Sequence, residues 1–198
     1  MRQMLLLCAC AIAVLAFGAV AVQADDGHSG HSGSEAEHAS CVTATGGDDD
    51  AQGADDNAPG EREGTDQGDD EHGSAQHDVI DGNAGDDDIS GEAGDDDLCG
   101  DRGDDHLNAG SGDDKVAGGS GDDVENGGAG DDLLEGDRGD DRITGGSGVD
   151  TILAGAGNDR IFVRDNRRDH VSCGSGVDTV VADRGDSVAT SCEHVRRG

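Results

Sequence analysis

The sequence contains no tryptophan or tyrosine, only two phenylalanines (Phe17 and Phe162), and a single proline, Pro59. Cations are scarce as well: 13 Lys and Arg stand against 46 Asp and Glu in 198 residues, a formal charge of −33. With so few large apolar side chains, ordinary burial cannot offset chain entropy together with self-repulsion on that scale. The chain is therefore either disordered or held together by something cationic. Nucleic acid and anionic membrane surfaces are poor partners for this charge; multivalent cations are good ones. Hydroxyls and histidines occur, but no nucleophile–base–orienter set is recognisable. No enzyme is expected.

The residues that are present fall into segments. Arg2 followed by an apolar run from Leu5 to Val22 reads as an export signal over residues 1–24, with cleavage before Asp25 and small residues such as Ala24 at the cut. Cys8 and Cys10 lie too early in the run for a lipoprotein signal. The alternative is an uncleaved anchor at the cell surface, since a run of this length could just span a bilayer. Residues 25–72 are low in complexity, with Val42 the one branched aliphatic residue, and are expected to form a disordered, solvated tail. His28, His31, His38, His72 and His77 are too loosely spaced to indicate a transition-metal site and are read as part of a solvated surface.

A nine-residue period begins at Gly73. Nine consecutive units in one phase run from Gly82 to Phe162, preceded by a weaker unit over 73–81 with Gln76 at its fourth position. Two imperfect units, 164–172 and 173–181, follow a one-residue insertion at Val163. In the nine central units position four is always Gly and position six always Asp; position eight is Ile, Leu or Val except at Glu125. Positions one to six are expected to form a tight turn on glycine backbone angles. Positions seven to nine are expected to form a short strand with position eight inward. Two units then make one coil of eighteen residues. Its two parallel sheets carry Ile80, Leu98, Val116, Leu134 and Ile152 on one side, and Ile89, Leu107, Glu125, Ile143 and Ile161 on the other. An unpaired charge facing the interior is costly, so Glu125 is expected to force a local bulge or to let Val124 rotate inward.

Stacked turns bring each position-six Asp near the one a coil away. Carboxylates and turn carbonyls then offer oxygen ligands only, a set that suits Ca2+ better than Zn2+, Cu2+ or Mg2+.

The units resemble the calcium-binding nonapeptide repeats of RTX (repeats-in-toxin) proteins, pattern G-G-x-G-x-D-x-U-x, over about residues 73–181. The resemblance implies an all-β fold, a parallel β-roll (a right-handed β-solenoid), with calcium bound between turns over 73–163. It implies ligands at Asp78, Asp87, Asp96, Asp105, Asp114, Asp123, Asp132, Asp141, Asp150 and Asp159, together with backbone carbonyls. Pairing each Asp with the one eighteen residues on gives eight candidate sites. Residues 164–198 are expected to hold degenerate repeats and a C-terminal cap: Asp169 to Val195, with more Arg and fewer Gly, looks like the closing segment of secreted bacterial calcium-binding repeat proteins and is expected to cap the solenoid rather than bind much calcium. Position two is Asn, Glu or Asp in several units where the pattern has Gly, which restricts the backbone.

Export makes disulfides plausible among Cys41, Cys99, Cys173 and Cys192. Cys173–Cys192 would clamp the cap, and Cys41–Cys99 would then tether the tail. An EF-hand-like stretch from Asp86 is a by-product of the repeat, since its twelfth residue is Asp97 and no helices flank it. The expected function is that of an exported protein that binds calcium ions and folds on binding them. The alternatives are a calcium-stiffened structural or adhesive spacer at the cell surface and an ice-binding roll; the latter lacks the required flat rank of Thr or Asn.

Overall fold

The computed structural model describes residues 61–198, with side chains from Arg62 onward. The expectations that fall on the export signal, on most of the acidic tail, on His28, His31 and His38 and on Cys41 lie outside the described residues. Among the described residues no helix is long and apolar enough to cross a membrane.

Among the described residues sixteen short strands alternate between two parallel sheets. One sheet consists, in order, of β1 (Glu61–Glu63), β3 (Val79–Asp81), β5 (Asp97–Arg102), β7 (Lys115–Ser120), β9 (Leu133–Arg138), β11 (Thr151–Leu153), β13 (His170–Ser172) and β15 (Ser187–Val188). The other consists of β2 (Asp70–His72), β4 (Asp88–Ser90), β6 (His106–Ser111), β8 (Val124–Ala129), β10 (Arg142–Ser147), β12 (Arg160–Val163), β14 (Thr179–Ala182) and β16 (His194–Arg197). Each strand pairs with the next but one, so two units close one coil of an all-β parallel solenoid.

The core follows from the position-eight column. Ile80 pairs in register with Leu98, Leu98 with Val116, Val116 with Leu134 and Leu134 with Ile152, and all are buried. In the second sheet Ile89, Leu107, Ile143 and Ile161 are buried in the same way. Flanking residues such as Asp88, His106, Lys115 and Arg142 are exposed, as strand alternation requires. The Arg142 guanidinium lies 4.4 Å from the centre of the Phe162 ring, an outer-face cation–π contact.

Four features depart from the sequence reading. First, paired strands begin at Glu61, ahead of the repeat boundary at 73: Arg62 pairs with Ile80 and Glu71 with Ile89. Glu71 occupies a position-eight slot, and its charge conceals the unit in the sequence. Second, the strands of the middle coils are six residues long and continue through positions one to three. Position two takes a positive φ there, as at Asp101 (68°) and Gly119 (103°), while the parallel pairing resumes beyond it, Asp101 to Gly119 and Arg102 to Ser120. The chain turns a corner without leaving the ladder.

Third, β8 has no bulge and Val124 does not turn inward. Glu125 keeps register between Leu107 and Ile143 and is fully buried. Continuous pairing on both sides fixes the alternation, and a one-residue slip would expose every neighbouring aliphatic side chain.

Fourth, the coils continue into the segment expected to be mainly a cap. Val171 and Val180 extend the two core columns, pairing with Ile152 and Ile161. Both steps are nineteen residues rather than eighteen, because the inserted Val163 is accommodated by burying its side chain. The end of the roll carries the expected disulfide between Cys173 and Cys192, with Cα atoms 5.2 Å apart. Cys99 is buried in β5, and its expected partner Cys41 lies outside the described residues.

Candidate metal centre

The position-six aspartates form two ladders along the edges of the roll. One runs Asp87, Asp105, Asp123, Asp141, Asp159 and Asp178; the other runs Asp96, Asp114, Asp132, Asp150 and Asp169. Within a ladder the backbone N–H of each Asp donates to Oδ1 of the Asp one coil later. These distances run from 2.7 Å for Asp96 to Asp114 up to 3.1 Å for Asp132 to Asp150. Each carboxylate is thereby held by the coil before it, and all these aspartates are buried.

The second oxygen is the telling one. Oδ2 of Asp87, Asp96, Asp105, Asp114, Asp123, Asp132, Asp141, Asp150, Asp159, Asp169 and Asp178 is buried and has no hydrogen-bond partner. Buried unpaired carboxylate oxygens are costly. Eleven in regular array have the chemistry of hard-cation ligands. Those of Asp87, Asp96, Asp105, Asp123, Asp132, Asp141 and Asp150 point at the position-one glycine of their own unit, a place held by Ala109, Ala154, Arg164 and Cys173 in the units of the other four; a methyl group built on Gly91 would lie 2.5 Å from Asp96 Oδ2 and 2.7 Å from the Ala109 carbonyl oxygen of the next coil. Around Gly136 the corresponding atoms are Asp141 Oδ2 and the Ala154 carbonyl oxygen, both 2.6 Å away. Glycine leaves room there for an ion lined by carboxylate and carbonyl oxygens. Among the described residues no three His, Cys, Asp or Glu side chains converge on one point, so backbone carbonyls are needed to complete any such shell. An oxygen-only set of this kind fits Ca2+.

Electrostatics agree with the geometry. Burial pushes these carboxyls up from the ordinary Asp range, to about 6 for Asp96, Asp105, Asp159 and Asp169, about 7 for Asp123 and Asp132, and about 8 for Asp141. The ladder hydrogen bond from the preceding Asp opposes the rise, and neighbouring carboxylates add to it. Asp87, Asp114 and Asp150 are raised by the same burial.

Of the ten aspartates expected as ligands, nine have this arrangement. Asp78 differs: its backbone N–H donates to Asp96 Oδ1 as in the rest of the ladder, but its Oδ2 accepts hydrogen bonds from the N–H and hydroxyl of Ser74, at 2.7 and 2.9 Å. Asp69 is closed off in the same way by Thr65. Asp169 and Asp178, which the sequence reading did not count as candidates, share the arrangement of the nine. They stand at position six of the two imperfect units, and the signal was available once the insertion at Val163 had been allowed for. The ladders end where the acceptors change: Asp169 donates to Asp186, whose Oδ2 takes the Asp183 N–H, and Asp178 donates to Glu193.

A second pair of ladders was also missed. Position-five residues on the exposed rim bond in the opposite sense, each N–H donating to the carboxylate one coil earlier: Asp122 to Asp104, Asp131 to Asp113 and Asp140 to Asp122, at 2.8–2.9 Å. Val149 and Asn158 still donate to this rim. Adjacent residues thus brace successive coils in both directions.

Glu125 stands apart. Both its carboxylate oxygens are buried without a partner, and burial, followed by repulsion from Asp141 and Asp123, raises its carboxyl well above the usual range.

A family model described as the RTX calcium-binding nonapeptide repeat matches the chain in four copies, over residues 63–98, 72–107, 98–125 and 126–161. Together these span half of the chain, and the first copy starts within the early coil that the charged Glu71 conceals. No curated protein matches the chain.

Proposed function

The chain belongs to the RTX calcium-binding nonapeptide repeat family, and from that membership we propose that it is an exported calcium-binding protein whose roll folds as the ions bind. The observation that carries this reading is the array of eleven buried, partnerless Oδ2 atoms, seven of them facing the position-one glycine of their own unit. The ligands of every site come from coils eighteen or nineteen residues apart, so a site exists only when the coils are stacked. Binding and folding are then one equilibrium.

Pairs with both outer oxygens unpartnered are 87–105, 96–114, 105–123, 114–132, 123–141, 132–150, 141–159, 150–169 and 159–178. This proposal replaces the pair at Asp78 with two pairs reaching into the imperfect units. Extracellular calcium modules work at about 10⁻⁴–10⁻³ M, a level that would keep the chain unfolded inside a cell and fold it outside. The Cys173–Cys192 disulfide favours an oxidising compartment for the folded form.

Calorimetric titration of the chain lacking residues 1–24, followed in parallel by circular dichroism, tests the proposal. Saturable uptake of several calcium ions with a simultaneous gain of strand signal is expected. Uptake without a structural change, or no uptake at millimolar calcium, would refute it.

A further inference from the structure

We propose that Glu125 is an internal calcium ligand, which adds a carboxylate from the core side to the site next to Asp123; this rests on the calcium-binding reading above. Three observations carry it. Glu125 is wholly buried, and neither of its oxygens has a partner. Its neighbours along the column are Leu107 and Ile143, which have no hydrogen-bonding group to offer. Its Oε1 also points into a cradle already described: a methyl group built on Gly118 would lie 2.5 Å from Asp123 Oδ2 and 2.8 Å from Glu125 Oε1. Two partnerless carboxylate oxygens therefore face one point, beside a glycine.

The ordinary coils show what this position normally holds. In the next coil of the same sheet, a methyl on Gly136 would meet Asp141 Oδ2 at 2.6 Å and the Ile143 Cδ1 methyl at 3.1 Å. The tip of a position-eight side chain thus reaches the edge of the metal cradle, where Ile143 only walls it off. Glutamate at 125 replaces that wall with an oxygen. A buried carboxylate with no partner is among the costliest groups in a folded chain, and a divalent ion shared with Asp123 removes the cost without moving the backbone. Affinity at such sites rises with the number of ligand charges. The Asp123 site is therefore the tightest in the roll and the first to fill, placing the start of calcium-driven folding in the middle coils.

The test compares the wild-type chain with Glu125→Ile and Glu125→Gln by titrating calcium against a fluorescent chelator, alongside circular dichroism at saturating calcium. Isoleucine restores the column residue found at Ile143 and should fold at least as well as wild type. Glutamine keeps the shape of the side chain and removes its charge. The first ion bound by wild type should bind both variants on the order of tenfold more weakly, with the strand signal at saturation unchanged. If both variants bind their first ion as tightly as wild type, Glu125 is a buried neutral acid and the inference fails while the calcium-binding reading stands. If wild type binds no calcium, both fail together.

Discussion

Asp114 belongs to two pairs, 96–114 and 114–132, so its loss should remove two ions rather than one. The substitution to use is Asp114→Asn. The Asp96 N–H donates to Asp114 Oδ1 at 2.7 Å, a contact that an amide oxygen retains, and the Asp114 N–H still reaches Asp132 at 3.0 Å. The backbone ladder therefore survives, and what disappears is the partnerless, charged Oδ2. One ion bound at a hundredfold excess over its dissociation constant stabilises the folded state by about 2.7 kcal/mol. Two weakened sites should then cost about 5 kcal/mol at that calcium level and almost nothing in its absence. Calorimetry gives the number of ions, and urea unfolding at fixed free calcium gives the stability. Asp113→Asn is the control: it alters only the exposed rim, where Asp131 donates to Asp113, and should leave the ion count unchanged. A loss of one ion, or equal losses in the two variants, would refute the shared-ligand reasoning.

Three further outcomes are expected. Glu92 holds a φ of 73°, where a side chain is disfavoured by about 1–2 kcal/mol; after the entropy that glycine adds to the unfolded chain, Glu92→Gly should stabilise the calcium-loaded roll by about 0.5–1 kcal/mol in urea unfolding, and a destabilised variant would contradict this. In the metal-free chain Asp96 and Asp105 titrate at about 6, Asp123 and Asp132 at about 7 and Asp141 at about 8 in the folded form, all above the unfolded value of about 3.9. The folded state then holds protons that the unfolded chain has released, so metal-free stability is greatest below about pH 4 and falls as pH rises through 6–8; calcium binding in that window should release protons, seen as a buffer-dependent heat, and a metal-free chain that folds better at pH 8 than at pH 5 would contradict it. Cys192→Ser opens a loop of separation 19, which should cost about 3 kcal/mol and speed amide exchange in β14 and β16 while leaving β6 to β9 protected; exchange that rises equally throughout would contradict a local clamp.

The fold was legible in the sequence because both determinants are periodic. Aspartate at position six and an aliphatic residue at position eight recur in phase, and together they specify the coil, the two sheets and the edge on which the ladders lie. What stayed hidden was whatever broke the chemical pattern without breaking the geometry. Glu71 and Glu125 sit in aliphatic slots because register is imposed by the ladders on either side, a tertiary constraint that overrides the local cost of a charge. Asp169 and Asp178 were obscured by one inserted residue, which the structure accommodates by burying Val163. The partnered Oδ2 of Asp78 depends on Ser74, and serine at position two carries that consequence only once the turn has brought its hydroxyl to Oδ2. The positive φ at Asp101 and Asp137 belongs to a corner inside a continuous ladder, and no alternation rule separates that from a strand end.

Amide hydrogen exchange at pH 7.5, with the chain in chelator and in millimolar calcium, bears most directly on the claim that crowded carboxylates need a cation between them. The ladder amides of Asp96, Asp105, Asp114, Asp123 and Asp132 should exchange at unprotected rates in chelator and become strongly protected in calcium. Protection of the same amides to the same degree with every divalent ion removed would contradict it.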